Sequence, residues 1–500
     1  MVDKSLKKDF ISGIKWTTAA RFGAQGVQFI TTFILARLLS PAEFGLVGLA
    51  GVFLLIANHV SQLGISSAII QKKDIDESYL SSAFWTNIFV GLLLTVGVFF
   101  LSWPAASFFD NDNLRPIIQV LSLIYFLGSL RIVQNALFTK RLQFKKIAFL
   151  EVISVIISGT ISVGMAAGGF GVWSLVYGRL AYVLTSLVMA WLLSSWRPRF
   201  VFNRDRFNQF FSFGLNVMCT NILSSCGGSV STAVIGKFLN IASVGIFNMS
   251  MNIIYFPSRL TTMILSGVMF PILSHMQEDT VRLKAAYFNV LKTIAAITFP
   301  ALIGMACVTP EFVKVVLGAK WVGIINPIRV LFVVGMIDSI VATVGSVFCS
   351  KGRPEIELKA DLALLAILLP LIFLGLRFGL MGIAVAMVLH RILSISIFFI
   401  LLKPLLNYRI AELLTSIFLP IRDSIIMGLA IMAYRSVFSV FFKNEFFLLL
   451  TSVLLGVSLY LLILKLFNSY IFTELKRIIA DSFKDKILAI FRRQRCSVNP

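Results

Sequence analysis

The chain has 500 residues, of which 58% are hydrophobic and only 14% are charged. Soluble globular proteins are about half apolar and about a quarter charged, so the composition excludes a water-soluble enzyme. The 45 Lys and Arg residues outnumber the 23 Asp and Glu residues, which gives a net charge of +22. Because this basic excess is spread between apolar segments of membrane-spanning length, it does not indicate nucleic-acid binding.

Fourteen apolar segments are long enough to cross a bilayer as helices, which takes roughly 17–25 residues. The first and seventh carry many Ser, Thr, Asn and Gln side chains, a pattern typical of helices that face a bundle interior or a wet cavity. The predicted fold class is therefore an all-α, multi-pass membrane protein with about 14 spans. In chain order the segments are about 11–36, 43–65, 80–102, 114–138, 147–168, 171–196, 208–238, 243–270, 285–307, 326–350, 359–376, 380–402, 420–442 and 445–467.

The distribution of Lys and Arg between these segments predicts the orientation. With the N-terminus inside the cell, most loop cations fall on the cytoplasmic side, including Lys72, Lys73, Lys145 and Lys146. Cytoplasmic loops carry the excess of Lys and Arg, so both termini are expected to be cytoplasmic. Most of the net charge then reflects topology and says little about a substrate.

An internal repeat is visible in the sequence. Ile34–Ala50 resembles Val234–Ser250 at an offset of 200, with Gly45 and Gly245 among the identical pairs. A unit of six spans returns the chain to its starting side, which predicts two parallel repeats related by an axis along the membrane normal. The predicted parts are an N-lobe at 1–205, a C-lobe at 206–403, an added helix pair at 404–467 and a basic cytoplasmic tail at 468–500.

Several ionisable residues fall near the middle of predicted spans, where a charged side chain costs about 2.5–3.5 kcal/mol on insertion scales. Arg21, Arg259 and Arg391 lie near the centre, and His59 occupies the position equivalent to Arg259 in the other half. Arginine offers forked donors and stays charged when partly desolvated. We predict that these four residues line a cationic central cavity that binds an anionic group.

Asp338 also lies near mid-span and has two interpretations. It is a candidate coupling residue that would titrate during transport, or it neutralises a nearby arginine, which is the favoured interpretation.

Polar side chains on the first and seventh spans are candidates for the same cavity. They are Gln25, Gln28, Asn216 and Asn221. Their amides suit sugar hydroxyls, but such residues also join membrane helices to one another. Both interpretations stay open.

Four stretches carry a family resemblance: FILARLLSPAEFGL, LGISSAIIQKKDI, FTKRLQFKKIAFLEVIS and GGFGVWSLV. They resemble bacterial polysaccharide flippases of the multidrug/oligosaccharidyl-lipid/polysaccharide exporter superfamily, and are most similar to colanic acid exporter-type members. The resemblance implies two six-helix lobes, a final helix pair and residence in the bacterial inner membrane. It also implies that Arg21 and Arg259 hold the substrate, since related lipid flippases place cavity arginines on the first and eighth helices.

The function implied is transfer of polyprenyl-pyrophosphate-linked oligosaccharide units to the outer leaflet by alternating access, for exopolysaccharide, capsule or O-antigen synthesis. One alternative is a cation-coupled drug exporter on the same fold, which the central arginines disfavour. A membrane polysaccharide polymerase is less favoured, because the outer loops are short and carry no paired carboxylates. Beyond the lipid-linked oligosaccharide and membrane lipids, a polymerase partner and proton or sodium coupling stay open. No catalytic residue, cofactor, metal or nucleic-acid partner is predicted.

Overall fold

The structure is a computed structural model that describes residues 4–61, 65–72, 75–201, 228–439, 444–468 and 472–473. Within these ranges the regular structure is helical and no strand occurs. Helices follow from the apolar composition, because a spanning segment in lipid must satisfy its backbone hydrogen bonds internally. The predicted all-α class is confirmed.

The helices are numbered here in chain order. In the first half they are α1 (Lys4–Leu38), α2 (Pro41–Ser61), α3 (Ile65–Gln71), α4 (Glu77–Phe108), α5 (Leu114–Ser129), α6 (Ile132–Lys140), α7 (Phe144–Ala167) and α8 (Val172–Leu193). In the second half they are α9 (228–238), α10 (Ile241–His275), α11 (Thr280–Phe312), α12 (Ile325–Val341), α13 (Val344–Ser350), α14 (Pro354–Leu376), α15 (Gly379–Leu406), α16 (Ile410–Phe438) and α17 (Glu445–Phe467). A π-helical turn (Val313–Leu317) and a 3₁₀ helix (Ala319–Ile324) connect α11 to α12.

Among the described residues, nine helical segments are long and apolar enough to cross a membrane. The helices α5 and α6 pass the same test only as a pair, which is bent by 44° and has the form of a broken span or a re-entrant loop. The segment predicted as the seventh span, 208–238, is described only from residue 228. The multi-pass architecture is thus confirmed, whereas the number fourteen stays a prediction.

Local sequence signals explain where several helices begin. The link between α1 and α2 is a capping box: the Ser40 backbone N–H donates to Glu43 Oε2 at 2.6 Å, and the Glu43 N–H donates back to Ser40 Oγ at 3.4 Å. At the start of α4, the Asp76 side chain accepts from the Tyr79 N–H. These caps satisfy backbone donors that a helix start leaves unpaired.

Helix breaks recur at equivalent places in the two sequence halves. The chain breaks between α5 and α6 and again between α12 and α13. The short helices after the breaks, α6 and α13, are followed by α7 and α14, which begin at Phe144 and Pro354, 210 positions apart. This spacing is ten residues longer than the offset of 200 between Ile34–Ala50 and Val234–Ser250.

The chain also divides into two compact units by packing. One comprises Met1–Ile253, Val316–Ile328 and Leu358–His390. The other comprises Ile254–Val315, Arg329–Glu357 and Arg391–Pro500. This division follows contacts rather than the repeat, so the predicted lobes 1–205 and 206–403, the helix pair 404–467 and the tail 468–500 stay predictions.

Within the second unit, α16 packs along α11 and against α17. Ion pairs join α11 and α16 near both ends: Lys284 to Glu412 at 2.8 Å, and Arg435 to Glu311 at 2.6 Å. Between them, Gly428 lies against Ile303 closely enough that a Cβ atom would meet its methyl group at 2.8 Å. The final helices are therefore fixed to α11 by charge at the ends and close packing in the middle.

Candidate functional site

Helix α1 carries a polar stripe. Arg21, Gln25 and Gln28 follow the spacing of one helical face. Arg21 and Gln28 are exposed and Gln25 is half-buried. On the opposite side of the same helix, Ile30 is 60% exposed and Ile34 is 42% exposed. An apolar exposed face suits lipid, whereas exposed amides and a guanidinium require water or polar partners.

Helix α7 covers a flank of α1 between these two faces. Gly159 of α7 approaches the Thr31 side chain so closely that a Cβ atom would meet its hydroxyl at 2.8 Å. Small residues permit such close helix contacts in membranes. This contact fixes the rotation of α1, so that the stripe and the apolar face point to different environments.

Some predicted cavity residues cannot be placed beside the stripe. His59 lies on α2 and Arg259 on α10, but both side chains lie outside the described part of the chain. Asn216 and Asn221 belong to the segment 202–227, which also lies outside the described residues. Their grouping with Arg21 therefore stays a prediction.

In the second unit, Arg391 and Asp338 form an ion pair. Arg391 Nε lies 2.9 Å from Asp338 Oδ1, and the side chains are 29% and 14% exposed. The contact joins α15 to α12 and is the pairing that the sequence left as one of two interpretations for Asp338. A role of Asp338 in coupling stays a prediction.

Tyr255 of α10 completes this group, hereafter the Asp338 cluster (Tyr255, Asp338 and Arg391). Its side chain hydrogen-bonds Asp338 and lies beside Arg391. Tyr255 was not among the residues that the sequence predicted for a site. The available signal was its position one helical turn before Arg259, since residues four apart share a helix face.

A second charged group lies in the first unit. The Arg131 guanidinium donates to the Ser186 hydroxyl of α8. Tyr182, one turn earlier on α8, lies close enough to Arg131, Glu151 and Arg179 to interact electrostatically with all three. Two cations against one carboxylate leave this group positive. Sequence analysis gave it no site role, although Arg179, Tyr182 and Ser186 have the spacing of one helix face.

Hydrogen bonds hold together the end of the first unit where α1 ends. The 3₁₀ helix Ala319–Ile324 lies against the C-terminus of α1: Trp321 Nε1 donates to the Ala36 carbonyl at 2.7 Å, and Lys320 Nζ donates to the Leu38 carbonyl at 3.1 Å. Elsewhere in the first unit, Lys237 of α9 pairs with Asp110, which follows α4, at 2.8 Å. Polar contacts thus join parts of the first unit that are far apart in the chain.

Comparison with known sequences gives one family. Residues 34–326 match the family described as "Polysaccharide biosynthesis protein". The chain is 29% identical over 424 residues to the lipopolysaccharide biosynthesis protein WzxC of Escherichia coli K12, covering 83% of this chain and 85% of that protein.

Among solved structures, the fold is similar to that of the lipid II flippase MurJ in an inward closed conformation. The TM-score is 0.74 at 15% identity, over 90% of this chain and 98% of that one. An inward-facing multidrug resistance MATE transporter of the MOP superfamily gives a TM-score of 0.63 at 18% identity, over 77% and 94%. At these identities the likeness establishes a common fold.

Proposed function

The chain belongs to the polysaccharide biosynthesis protein family, and on this premise we propose that it is a lipid-linked oligosaccharide flippase. It moves polyprenyl-pyrophosphate-linked repeat units from the cytoplasmic to the outer leaflet of the bacterial inner membrane. The units then serve the synthesis of a cell-surface polysaccharide. The loop charges favour an orientation with both termini in the cytoplasm.

The observation that carries this proposal is the division of α1 into a polar exposed face and an apolar exposed face. A lipid-linked oligosaccharide has the same two-part character, with a polyprenyl tail that stays in lipid and a polar head that must cross. Moving an isolated charged group into an apolar medium costs tens of kcal/mol on the Born scale, so the head needs a substitute for water. Arg21 provides forked donors for phosphate oxygens, and Gln25 and Gln28 provide amides for sugar hydroxyls.

Transport requires that the polar face of α1 is exposed alternately to the two sides of the membrane. Repeat-built transporters achieve this by rocking one bundle against another around a fixed binding site. The step makes and breaks no covalent bond, so no catalytic residue is required. A polysaccharide polymerase that consumes the product and a proton or sodium gradient that drives the cycle belong to the same proposal.

A drug exporter is the second candidate, because a multidrug transporter has a similar fold. Attraction of organic cations would require unpaired carboxylates along the path. Asp338, the acid predicted near mid-span, is paired with Arg391. The charge of the described groups therefore favours an anionic substrate.

The test is transfer of a fluorescent undecaprenyl-pyrophosphate-linked oligosaccharide across proteoliposomes containing the purified full chain. Arg21→Ala is compared with Arg141→Ala, which removes an exposed arginine at the end of α6. We expect Arg21→Ala to lower the transfer rate by about ten- to a hundredfold, the scale of a charge-assisted hydrogen bond. The control variant should retain the parental rate.

Two results would overturn the proposal in different ways. If Arg21→Ala transports like the parent after normal insertion, the stripe on α1 is not the binding surface. If the parent transfers no such lipid but expels cationic dyes, the protein is a drug exporter.

A further inference from the structure

In the Asp338 cluster, the two partners of the ion pair differ in exposure. Arg391 is about twice as exposed as its partner, with 29% against 14% for the side chains. The Arg391 side chain therefore keeps accessible surface although its Nε atom is buried, and the carboxylate is less accessible. A ligand that reaches this ion pair would find more of the arginine side chain exposed than of the carboxylate.

The contact between the two residues uses the Nε edge of the guanidinium, at 2.9 Å from Asp338 Oδ1. A guanidinium carries five N–H donors in a planar fork, and phosphate oxygens match two parallel donors. A pyrophosphate carries more negative charge than one carboxylate, so it competes well for the same cation. Binding of the phosphate would weaken the hold of Arg391 on Asp338.

Loss of this partner is unfavourable for Asp338, because a buried charge without a counter-charge is strongly destabilising. The free energy that is lost when Asp338 has no counter-charge lowers the affinity of the phosphate for Arg391. It also favours departure of the phosphate, because the ion pair re-forms once the site is empty. An internal carboxylate in this position thus limits affinity and speeds release.

Tyr255 keeps the carboxylate within reach of Arg391. Its hydrogen bond to Asp338 joins α10 to the ion pair. Tyr255 lies two residues before Pro257 of the same helix. Since proline removes a helix hydrogen bond and allows bending, a bend there would move the tyrosine relative to α12.

We infer that Asp338 is a positioning residue that acts as an internal competitor of the substrate pyrophosphate for Arg391, and that Tyr255 holds it in that role. The inference rests on the proposed function and adds a release element to it. Arg391 is the group that touches the phosphate, and Asp338 acts through Arg391.

The test separates affinity from turnover. Asp338→Asn keeps the shape and removes the charge, so Arg391 is left without its internal anion. We expect the Kd for undecaprenyl pyrophosphate in nanodiscs to fall about tenfold, the scale of one charge-assisted contact. The maximum transfer rate and KM in proteoliposomes should fall together, because the lipid binds more tightly and leaves more slowly. A merely structural role would lower the rate without tightening binding.

Three further variants complete the experiment. Tyr255→Phe should shift Kd and rate in the same direction by a smaller factor. The double variant Asp338→Asn/Arg391→Gln has a neutral pair. It should bind undecaprenyl pyrophosphate less tightly than Asp338→Asn, because the arginine that binds the phosphate is gone. This comparison separates an effect through Arg391 from a general folding defect. Glu412→Gln, at the pair with Lys284, removes a carboxylate elsewhere in the second unit and should change neither value.

The outcomes distinguish the inference from the proposed function. If the parent transfers the lipid and Asp338→Asn binds undecaprenyl pyrophosphate no more tightly, the competitor role is wrong and the flippase function stands. If the parent neither binds nor transfers the lipid, the proposed function fails and the inference fails with it.

Discussion

Gly45 and Gly245, equivalent positions of the sequence repeat, each lie against the backbone of the other's helix start. A Cβ atom on Gly45 would overlap the carbonyl oxygen of Ile241, and a Cβ atom on Gly245 would overlap the carbonyl oxygen of Pro41. Pro41 and Ile241 are the first residues of α2 and α10 and are themselves 200 positions apart. The contact therefore has the reciprocity of a two-fold axis, as residues of an isologous interface do.

This reciprocal contact predicts a specific effect of one added methyl group. Gly245→Ala should force the starts of α2 and α10 apart, because backbone cannot yield as a flexible side chain does. Overpacking of this kind costs about 1–3 kcal/mol. We expect a lower unfolding temperature for Gly245→Ala than for the parent.

The matched control is Gly51→Ala on α2, the helix whose start Gly245 contacts, because an added Cβ atom at Gly51 meets nothing within 4 Å. Helix propensity alone makes this change neutral to slightly stabilising. Thermal unfolding in detergent compares the two variants. Equal melting temperatures for the two would show that the α2–α10 contact is looser than the structure has it.

The two exposed faces of α1 predict different reactivity towards a charged reagent. In a background without the five native cysteines, Gln28→Cys should react with a membrane-impermeant, charged methanethiosulfonate, because the thiolate forms only where water reaches it. Ile30→Cys should stay unlabelled in the bilayer. Mass spectrometry of the intact protein gives the labelled fraction, and comparable labelling at both positions would remove the distinction between a wet and a lipid face.

The ion pair between α11 and α16 predicts a large loss of stability when one partner is removed. Arg435 and Glu311 are 17% and 11% exposed, and the guanidinium also donates to the Cys307 carbonyl. Arg435→Ala leaves a buried carboxylate without its counter-charge, which costs about 3–5 kcal/mol. The unfolding free energy in denaturant should fall by about this amount.

An exposed pair gives the comparison for that variant. Arg282 and Asp279 lie three residues apart with both side chains exposed, and such pairs contribute about 0–1 kcal/mol. Arg282→Ala should therefore unfold close to the parent. A loss of the same size in both variants would mean that burial does not decide the strength of the α11–α16 pair.

Arg131, Arg179 and Glu151 surround Tyr182 and carry a net positive charge. We expect this charge to contribute to the affinity for the anionic substrate. Arg179→Gln leaves Arg131 and Glu151 balanced and should raise the KM for the lipid-linked oligosaccharide by up to about tenfold, the effect of one charge-assisted hydrogen bond. Arg179→Lys keeps the charge and should retain most of the affinity. An unchanged KM in Arg179→Gln would place this group outside the transport path.

Sequence alone determined the helical, multi-pass character of the chain. Apolar runs of spanning length leave no other way to satisfy the backbone in lipid. The repeat was also readable from sequence, because Gly45 and Gly245 recur at an equivalent point near a helix start. Arg21 was predicted to have a function because a charged side chain near the middle of a predicted span is energetically costly.

Only the tertiary structure decided which of these charges meet. Arg391 and Asp338 are separated by more than fifty residues and lie on helices whose rotation no local pattern specifies, yet they are 2.9 Å apart. Tyr255 gave no charge signal in the sequence and becomes part of the site only through the packing of α10. Apart from α1, most of the described helices carry apolar side chains on buried and exposed faces alike, so hydropathy locates these helices but does not orient them. Orientation comes from side-chain packing between helices, which depends on contacts distant in sequence.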